Sequence, residues 1–496
     1  MKDCFLGIDI GTGSSKGALV DISGNVLASA SIAHSMSTPA SGWYEQNADD
    51  IWWYDFVFLA QALVEKLHKL SIPKECIRSV ALSTIAPCVL PVDIKGKPLR
   101  PGILYGIDTR ATQEIKEIEQ NVGKDNIFRM TGQHLSSQSC TPKIRWIQKH
   151  EPAVWEKTHK VLTASGYLVY RLTGNYTIDM YNAIGYAPIF NIRQKCWDKT
   201  YAEGILDLSV LPEIYWSNKC CGFINKKAKE ETNLPLGIPV ITGTADAAAE
   251  SLAAGVKSVG DMMMMYGSSN FFIVKTRELR PVPYFWASNF LEADTTVLTG
   301  GMATVGSMFK WLSDSFPGRT YAEWEQLAKT SKAGANRVTI LPYFAGERTP
   351  LFNPDARGVI FGLSLTTTPG DLYKAFQESV GFGIRHNIEI LKKAGESPER
   401  IIAIGGATAS SDMMQGISDI TGCRQELPKQ RLGACYGDAF LAAVGSGYID
   451  SLENVNLWVE IEKEFIPNPA LVQQYNEAYY RFRKLYESTK SLLVSQ

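Results

Sequence analysis

Short apolar runs closed by Gly, Thr or Ser alternate along the chain with longer segments whose apolar positions recur at helical spacing. GIDIGTGSSKGALVD (Gly7 to Asp21) starts as an apolar strand and breaks at a Gly/Thr/Ser turn. Ala18-Leu19-Val20, then Ser23-Gly24-Asn25 and Val26-Leu27, predict a second strand, a tight turn and a third strand. ALVEKLHKL (Ala62 to Leu70) predicts a helix, and SVALSTIAPCVLPVD (Ser79 to Asp93) predicts buried strands. LGIPVITGTADAAAESLAAGV (Leu236 to Val256) passes from a strand through Gly-Thr-Ala-Asp into an Ala-rich helix. DMMMMYGSSNFFIV (Asp261 to Val274) repeats the opening device of strand, turn and strand. Leu372, Phe376, Val380, Ile384, Ile388 and Leu391 make one apolar helical stripe whose place is against a sheet. The alternation predicts an α/β protein. The repeated device predicts two domains of related architecture facing each other across a cleft, with phosphates bridging them.

The strand after the first turn constrains what its glycines do. The P-loop pattern needs Gly-Lys-Ser/Thr, and the dinucleotide fingerprint needs a third Gly where Lys16 stands. Both also need a helix directly after the loop. A phosphate at this turn is therefore held by backbone N–H groups and hydroxyls of a Gly-rich concavity, with no helix dipole aimed at it. Simpler readings compete. A Gly/Ser turn between strands is usually only a hairpin, Asp246 has the composition of a helix N-cap, and Met262 to Met265 read as core filling. Asp9 is harder to explain structurally, because a carboxylate between Ile8 and Ile10 is costly unless paired or bound to metal.

Composition narrows the partners. At 496 residues the chain exceeds one ordinary core, so two or three domains are expected. Fifty basic against 51 acidic residues, without a basic block, argue against nucleic acid and anionic membrane and leave small molecules. Nine cysteines without a C-x-x-C read as reduced thiols. The first residues lack an apolar signal segment, so a cytoplasmic protein is expected. Six histidines show no zinc spacing and read as ordinary surface or core residues.

These pieces, in order, resemble the FGGY family of carbohydrate kinases, members of the two-domain actin-like ATPase (ribonuclease H-like) fold. GIDIGTGSSKGALVD resembles the family's first phosphate motif, and GWYEQNADDIWW (Gly42 to Trp53) the stretch after the first sheet. TPKIRWIQKHEP (Thr141 to Pro152) is similar to its Lys-x-x-Trp helix, in wording close to the xylulokinases. PYFAGERTPLFNPDARGVIFGL (Pro342 to Leu363), IGGATASSDMMQGISDITG (Ile404 to Gly422) and YGDAFLAAVGSG (Tyr436 to Gly447) resemble its second signature, adenosine motif and closing helix. Phe376 and Gln377 depart from the small-then-apolar pair of the signature.

The resemblance implies an N-terminal domain over 1–245, carrying the sugar site and first phosphate motif, and a C-terminal domain over 246–496. It implies Gly11, Thr12, Ser14, Gly267 and Ser268 at the ATP phosphates, and Asp9 on a Mg2+ ion. Gly301, Gly405, Gly406, Ala407 and Ser410 match positions lining the nucleotide pocket, and Asp246 matches the catalytic base. Ala86 and Pro87 stand where glycerol kinases carry Arg-Glu and xylulokinases Met-His, so both familiar sugar grips are missing. Gln138, Phe271 and Asp108 are the remaining sugar contacts implied, with a surface salt bridge to Arg110 as the alternative for Asp108. The implied activity is ATP-dependent phosphorylation of a primary hydroxyl on a ketopentose such as xylulose. The alternatives are a kinase of ribulose, erythritol, glycerol or gluconate, or a non-catalytic actin-like nucleotide-binding protein. Family members are often homodimers.

Overall fold

The computed structural model describes residues 3–492. Its first sheet is built from β1 (Cys4–Ile10), β2 (Ser14–Asp21), β3 (Val26–Ala33), β4 (Ile77–Thr84), β5 (Cys220–Phe223), β6 (Pro239–Ile241) and β7 (Thr244–Ala245). The order is β5-β6-β4-β1-β2-β3, with β7 also pairing β4. β1, β2 and β3 form an antiparallel meander, while β4 runs parallel to β1 and β6 parallel to β4. The second sheet comprises β8 (Asp261–Tyr266), β9 (Asn270–Thr276), β10 (Trp286–Asn289), β11 (Thr296–Gly300), β12 (Arg400–Ile404), β13 (Arg424–Pro428) and β14 (Ile461–Phe465). Its order is β10-β11-β9-β8-β12-β13-β14. Here too an antiparallel meander (β8, β9, β11) is followed by parallel partners on the far side of its first strand (β12, β13). The related architecture expected from the repeated strand–turn–strand device is present.

The helices that matter for the site are α1 (Tyr54–Lys69), α2 (Cys140–His150), α3 (Asp246–Ala254), α4 (Pro369–Lys393), α5 (Ser411–Thr421) and α6 (Ala434–Gly445). β1 is buried on both faces, which is why it reads as a continuous apolar run. Its even positions, Cys4, Leu6, Ile8 and Ile10, pack with Phe56, Leu59 and Leu63 of α1. Phe5, on the opposite face, joins a core layer with Met263 and Ile273 of the second sheet and with Ala248, Ala439 and Phe440 of α3 and α6. Strand alternation puts Gly7 and Asp9 on that same inner face. One apolar layer built from α3 and α6 thus lies between the two sheets. The methionines alternate likewise: Met262 and Met264 face the core shared with Phe376, Val380 and Ile384 of α4, and Met263 faces the inter-sheet layer. Gln377 is buried beside that stripe and donates to Glu325 Oε1 at 3.1 Å.

α6 comes so close to β1 that a Cβ on Gly7 would lie 2.0 Å from the Cys435 carbonyl oxygen and 2.4 Å from the Ala439 nitrogen. Both are backbone atoms and cannot rotate away. Gly7→Ala should therefore lower stability by about 1–3 kcal/mol or more, as overpacking does, read as a lower denaturation midpoint. An unchanged midpoint would mean that α6 can retreat without loss. Among the described residues no helix is long and apolar enough to cross a membrane.

Candidate active site

The junction at which the first sheet ends also begins α3. Thr244 and Ala245 pair with Ser83 and Thr84, and the chain turns directly into the helix. Its N-cap is Ala245, so the capping alternative for Asp246 does not describe this terminus. The Asp246 carboxylate instead accepts from the next backbone N–H, that of Ala247, at 2.7 Å. It faces a cavity of about 130 Å³ walled by Ala86, Pro87, Gln138 and Phe271, together with Tyr181, Asn182 and Trp286. Among the described residues no lysine or arginine lines this cavity. Gln138 is held in place by the Gly106 N–H, which donates to its Oε1 at 3.1 Å.

One turn further along α3, Glu250 opens into a second cavity of about 390 Å³ with Lys16, Gly405, Gly406 and Arg431. Residues four apart share a helix face. The first turn of α3 therefore joins the two cavities. Burial pushes Asp246 up to about 6 and Glu250 up to about 7, the latter helped by Asp246. Asp9 is raised well above the ordinary carboxyl range, first by burial and then by the charges of Asp246 and Glu250, against the hydrogen bond from Ser83.

Asp438 of α6 completes this acidic group. Ser83 Oγ lies 2.7 Å from Asp438 Oδ2 and 3.2 Å from Asp9 Oδ1. A single hydroxyl proton cannot satisfy both acceptors fully, and Asp438 Oδ1 is buried with no hydrogen-bond partner among the described residues. Burial drives Asp438 well above its ordinary value, with Asp9 adding to the shift. Among the described residues no group of three His, Cys, Asp or Glu side chains can hold a metal ion directly. The donor set suits a hard cation bound mainly by phosphate oxygens and water and neutralised by these carboxylates.

The two strand–turn–strand devices carry the predicted glycines. Gly11 N–H donates to Ser14 O at 3.1 Å, Thr12 Oγ1 lies 3.1 Å from Tyr105 Oη, and Ser14 opens β2. In the second turn Gly267 O accepts from Gly306 N–H at 3.0 Å, and Ser268 O accepts from Val305 and Ser307. Gly405 abuts this turn, since a Cβ there would stand 2.6 Å from Tyr266 O, and Gly406 has open space around it.

Several of the predicted site residues make protein contacts of their own, and the ion pair expected at the surface is buried. Asp108 does not line the cavity. It is fully buried, takes the Arg110 Nε at 3.0 Å and Nη2 at 2.8 Å, and also accepts the Tyr44 N–H at 2.7 Å. Nor is the ion pair a surface one: Arg110 continues to Glu45 at 2.7 Å and lies 4.4 Å and 5.0 Å from the ring centres of Trp43 and Trp146. Gly301 stands one residue past the end of β11, where a Cβ would lie 2.1 Å from the Asn270 carbonyl oxygen, and its N–H donates to Thr349 Oγ1 at 2.8 Å. Ala407 packs against the core, and Ser410 caps α5 at Met413 while donating to Glu325 at 2.8 Å. Sequence reasoning missed Glu250, Lys16 and Asp438. The first was legible as Asp246 plus one helical turn, while Asp438 reaches Ser83 across 355 residues and left no local signal.

The family model for the N-terminal domain of FGGY carbohydrate kinases matches residues 4–253, and that for the C-terminal domain matches residues 262–446. A xylulose kinase of Lactococcus lactis subsp. lactis is 28% identical over 98% of this chain and 97% of its own. The crystal structure of xylulose kinase from Rhodospirillum rubrum superposes with a TM-score of 0.93 at 28% identity, covering 99% of each chain. That of Plasmodium falciparum glycerol kinase with ADP, 22% identical, shares the fold at a TM-score of 0.89 over 100% of this chain and 99% of its own. With the actin-like ATPase fold and the two family domains in order, this chain belongs to the FGGY family of carbohydrate kinases, phosphotransferases that act on a sugar hydroxyl with ATP as donor.

Proposed function

We propose that this kinase transfers the γ-phosphate of Mg-ATP to a primary hydroxyl of a neutral ketopentose, xylulose first among them. The observation that carries the reading is α3, which presents Asp246 to one cavity and, a turn later, Glu250 to the other. Sugar in the smaller cavity would rest between Ala86, Pro87 and Phe271, with Gln138 and Asn182 as hydrogen-bonding groups. A wall without lysine or arginine favours a neutral sugar over a sugar acid. Full-length similarity to proteins named as xylulose kinases supports the ketopentose.

Asp246 accepts the proton of the attacking hydroxyl and orients its oxygen, which suffices for a loose phosphoryl transition state. Gly11, Thr12, Ser14, Gly267 and Ser268 supply N–H and hydroxyl groups to the phosphates. Gly405 and Gly406 leave the second cavity open to a planar base and ribose. Asp9 and Asp438 are the carboxylates that would hold a Mg2+ ion, which would supply charge neutralisation at the phosphates.

The test is ADP release with Mg-ATP across D- and L-xylulose, both ribuloses, glycerol, erythritol and gluconate. A ketopentose should stimulate release most. Gluconate or glycerol leading the panel would overturn the substrate, and no stimulation by any of them would overturn the ketopentose reading as a whole.

A further inference from the structure

The first phosphate turn is tied down from behind by a residue that the reaction does not use. His34 follows β3 directly, and its backbone N–H donates to Gly13 O at 3.1 Å. Its ring Nε2 lies 3.0 Å from Gly11 O, and its Nδ1 lies 2.7 Å from Asp55 Oδ2 on α1. The same Asp55 oxygen takes the Ser15 hydroxyl at 2.6 Å. The His34 and Asp55 side chains are only 7% and 3% exposed, so water does not compete for these bonds.

Proton placement follows from the partners. A peptide carbonyl only accepts, so Nε2 carries a hydrogen, and the Asp55 carboxylate accepts from Nδ1 as it does from Ser15. Both ring nitrogens donate and the ring is an imidazolium, in keeping with the upward shift that Asp55 imposes on it. With the Gly11 and Gly13 carbonyls drawn back toward His34, the peptide groups between them are held in one orientation. The N–H groups of Thr12 and Gly13 have no protein acceptor among the described residues. That is the arrangement of a backbone anion nest.

We propose that His34, braced by Asp55, is a positioning residue for the donor nucleotide, locking the Gly11–Gly13 turn with its N–H groups free for phosphate. The inference rests on the Gly11–Ser14 turn being a phosphate turn, as the proposed function has it. His34 acts through the turn, because both of its ring nitrogens are taken up by Gly11 and Asp55.

The test compares the parent with His34→Ala, His34→Gln and Asp55→Asn by calorimetric titration with Mg-ADP, by KM for Mg-ATP and for sugar, and by melting temperature. For His34→Ala the Mg-ADP dissociation constant and the Mg-ATP KM should each rise about tenfold, the weight of one charge-assisted hydrogen bond, while the sugar KM stays put. His34→Gln, which keeps one donor, should show a smaller rise at parental melting temperature. Asp55→Asn should move nucleotide binding in the same direction. Unchanged Mg-ADP affinity in the folded His34→Gln and His34→Ala proteins would overturn the proposal. So would equal weakening of sugar and nucleotide together with a lower melting temperature, which marks a merely structural role. Should no sugar prove a substrate while Mg-ADP binding still weakens as stated, the substrate reading falls and the role of His34 stands.

Discussion

Asp246→Asn should lower phosphoryl transfer by about 10²–10⁴-fold, the weight of a general base in the right place, with the fold intact. Asn keeps the shape and can still accept from the Ala247 N–H, so only proton acceptance is removed. The parent should also lose kcat/KM for sugar as pH falls through about 6, because burial holds Asp246 there in the free enzyme and only its ionised form takes a proton. The stability sign is opposite. Between the ordinary value of 3.8 and about 6 the folded chain holds a proton that the unfolded chain has released. The contribution of this group is therefore present at low pH and lost as pH rises through that window. Above pH 6 the Asn variant should melt no lower than the parent. Retained activity in Asp246→Asn would leave the carboxylate a structural feature of the helix start.

Arg110→Leu is the second large effect, and it concerns stability alone. Arg110 is the principal partner of Asp108, which is wholly buried, and its guanidinium packs against both Trp43 and Trp146, which meet edge to face beside it. Removing one partner of a buried pair strands the other, at a cost of about 3–5 kcal/mol. Lysine should not rescue it, since the bidentate fork and the stacking both need a guanidinium. The double variant Asp108→Leu/Arg110→Leu should recover most of the loss, because the stranded charge goes with its partner. Chemical denaturation of the four proteins reads this directly. If Asp108→Asn raised the KM for sugar with no loss of stability, Asp108 would be a sugar contact after all.

Local chemistry made much of the site legible. Asp9 stood out because an ionisable group in a doubly buried strand needs a reason, and β1 has one face on α1 and the other on the acidic cluster. Asp246 stood out at a strand–helix junction, and Ala86, Pro87, Gln138 and Phe271 do share its cavity. Partners fixed by tertiary packing were not legible. Asp108 is drawn inward by the Tyr44 N–H and Arg110, and nothing in its neighbours along the chain, Tyr105 to Ala111, says which way it turns. Gly301 shows that a glycine announces a close approach without naming what approaches: here it is Asn270. His34 read as an ordinary histidine because its two acceptors lie 23 and 21 residues away, on different elements.

The most direct test of the account is the product itself. Phosphorus NMR of the parent enzyme with Mg-ATP and xylulose should show a phosphate ester of the sugar's primary hydroxyl forming in step with ADP, and none with Asp246→Asn. ADP accompanied only by inorganic phosphate would contradict it, because the γ-phosphate would then be passing to water and the cavity beside Asp246 would not be a sugar site.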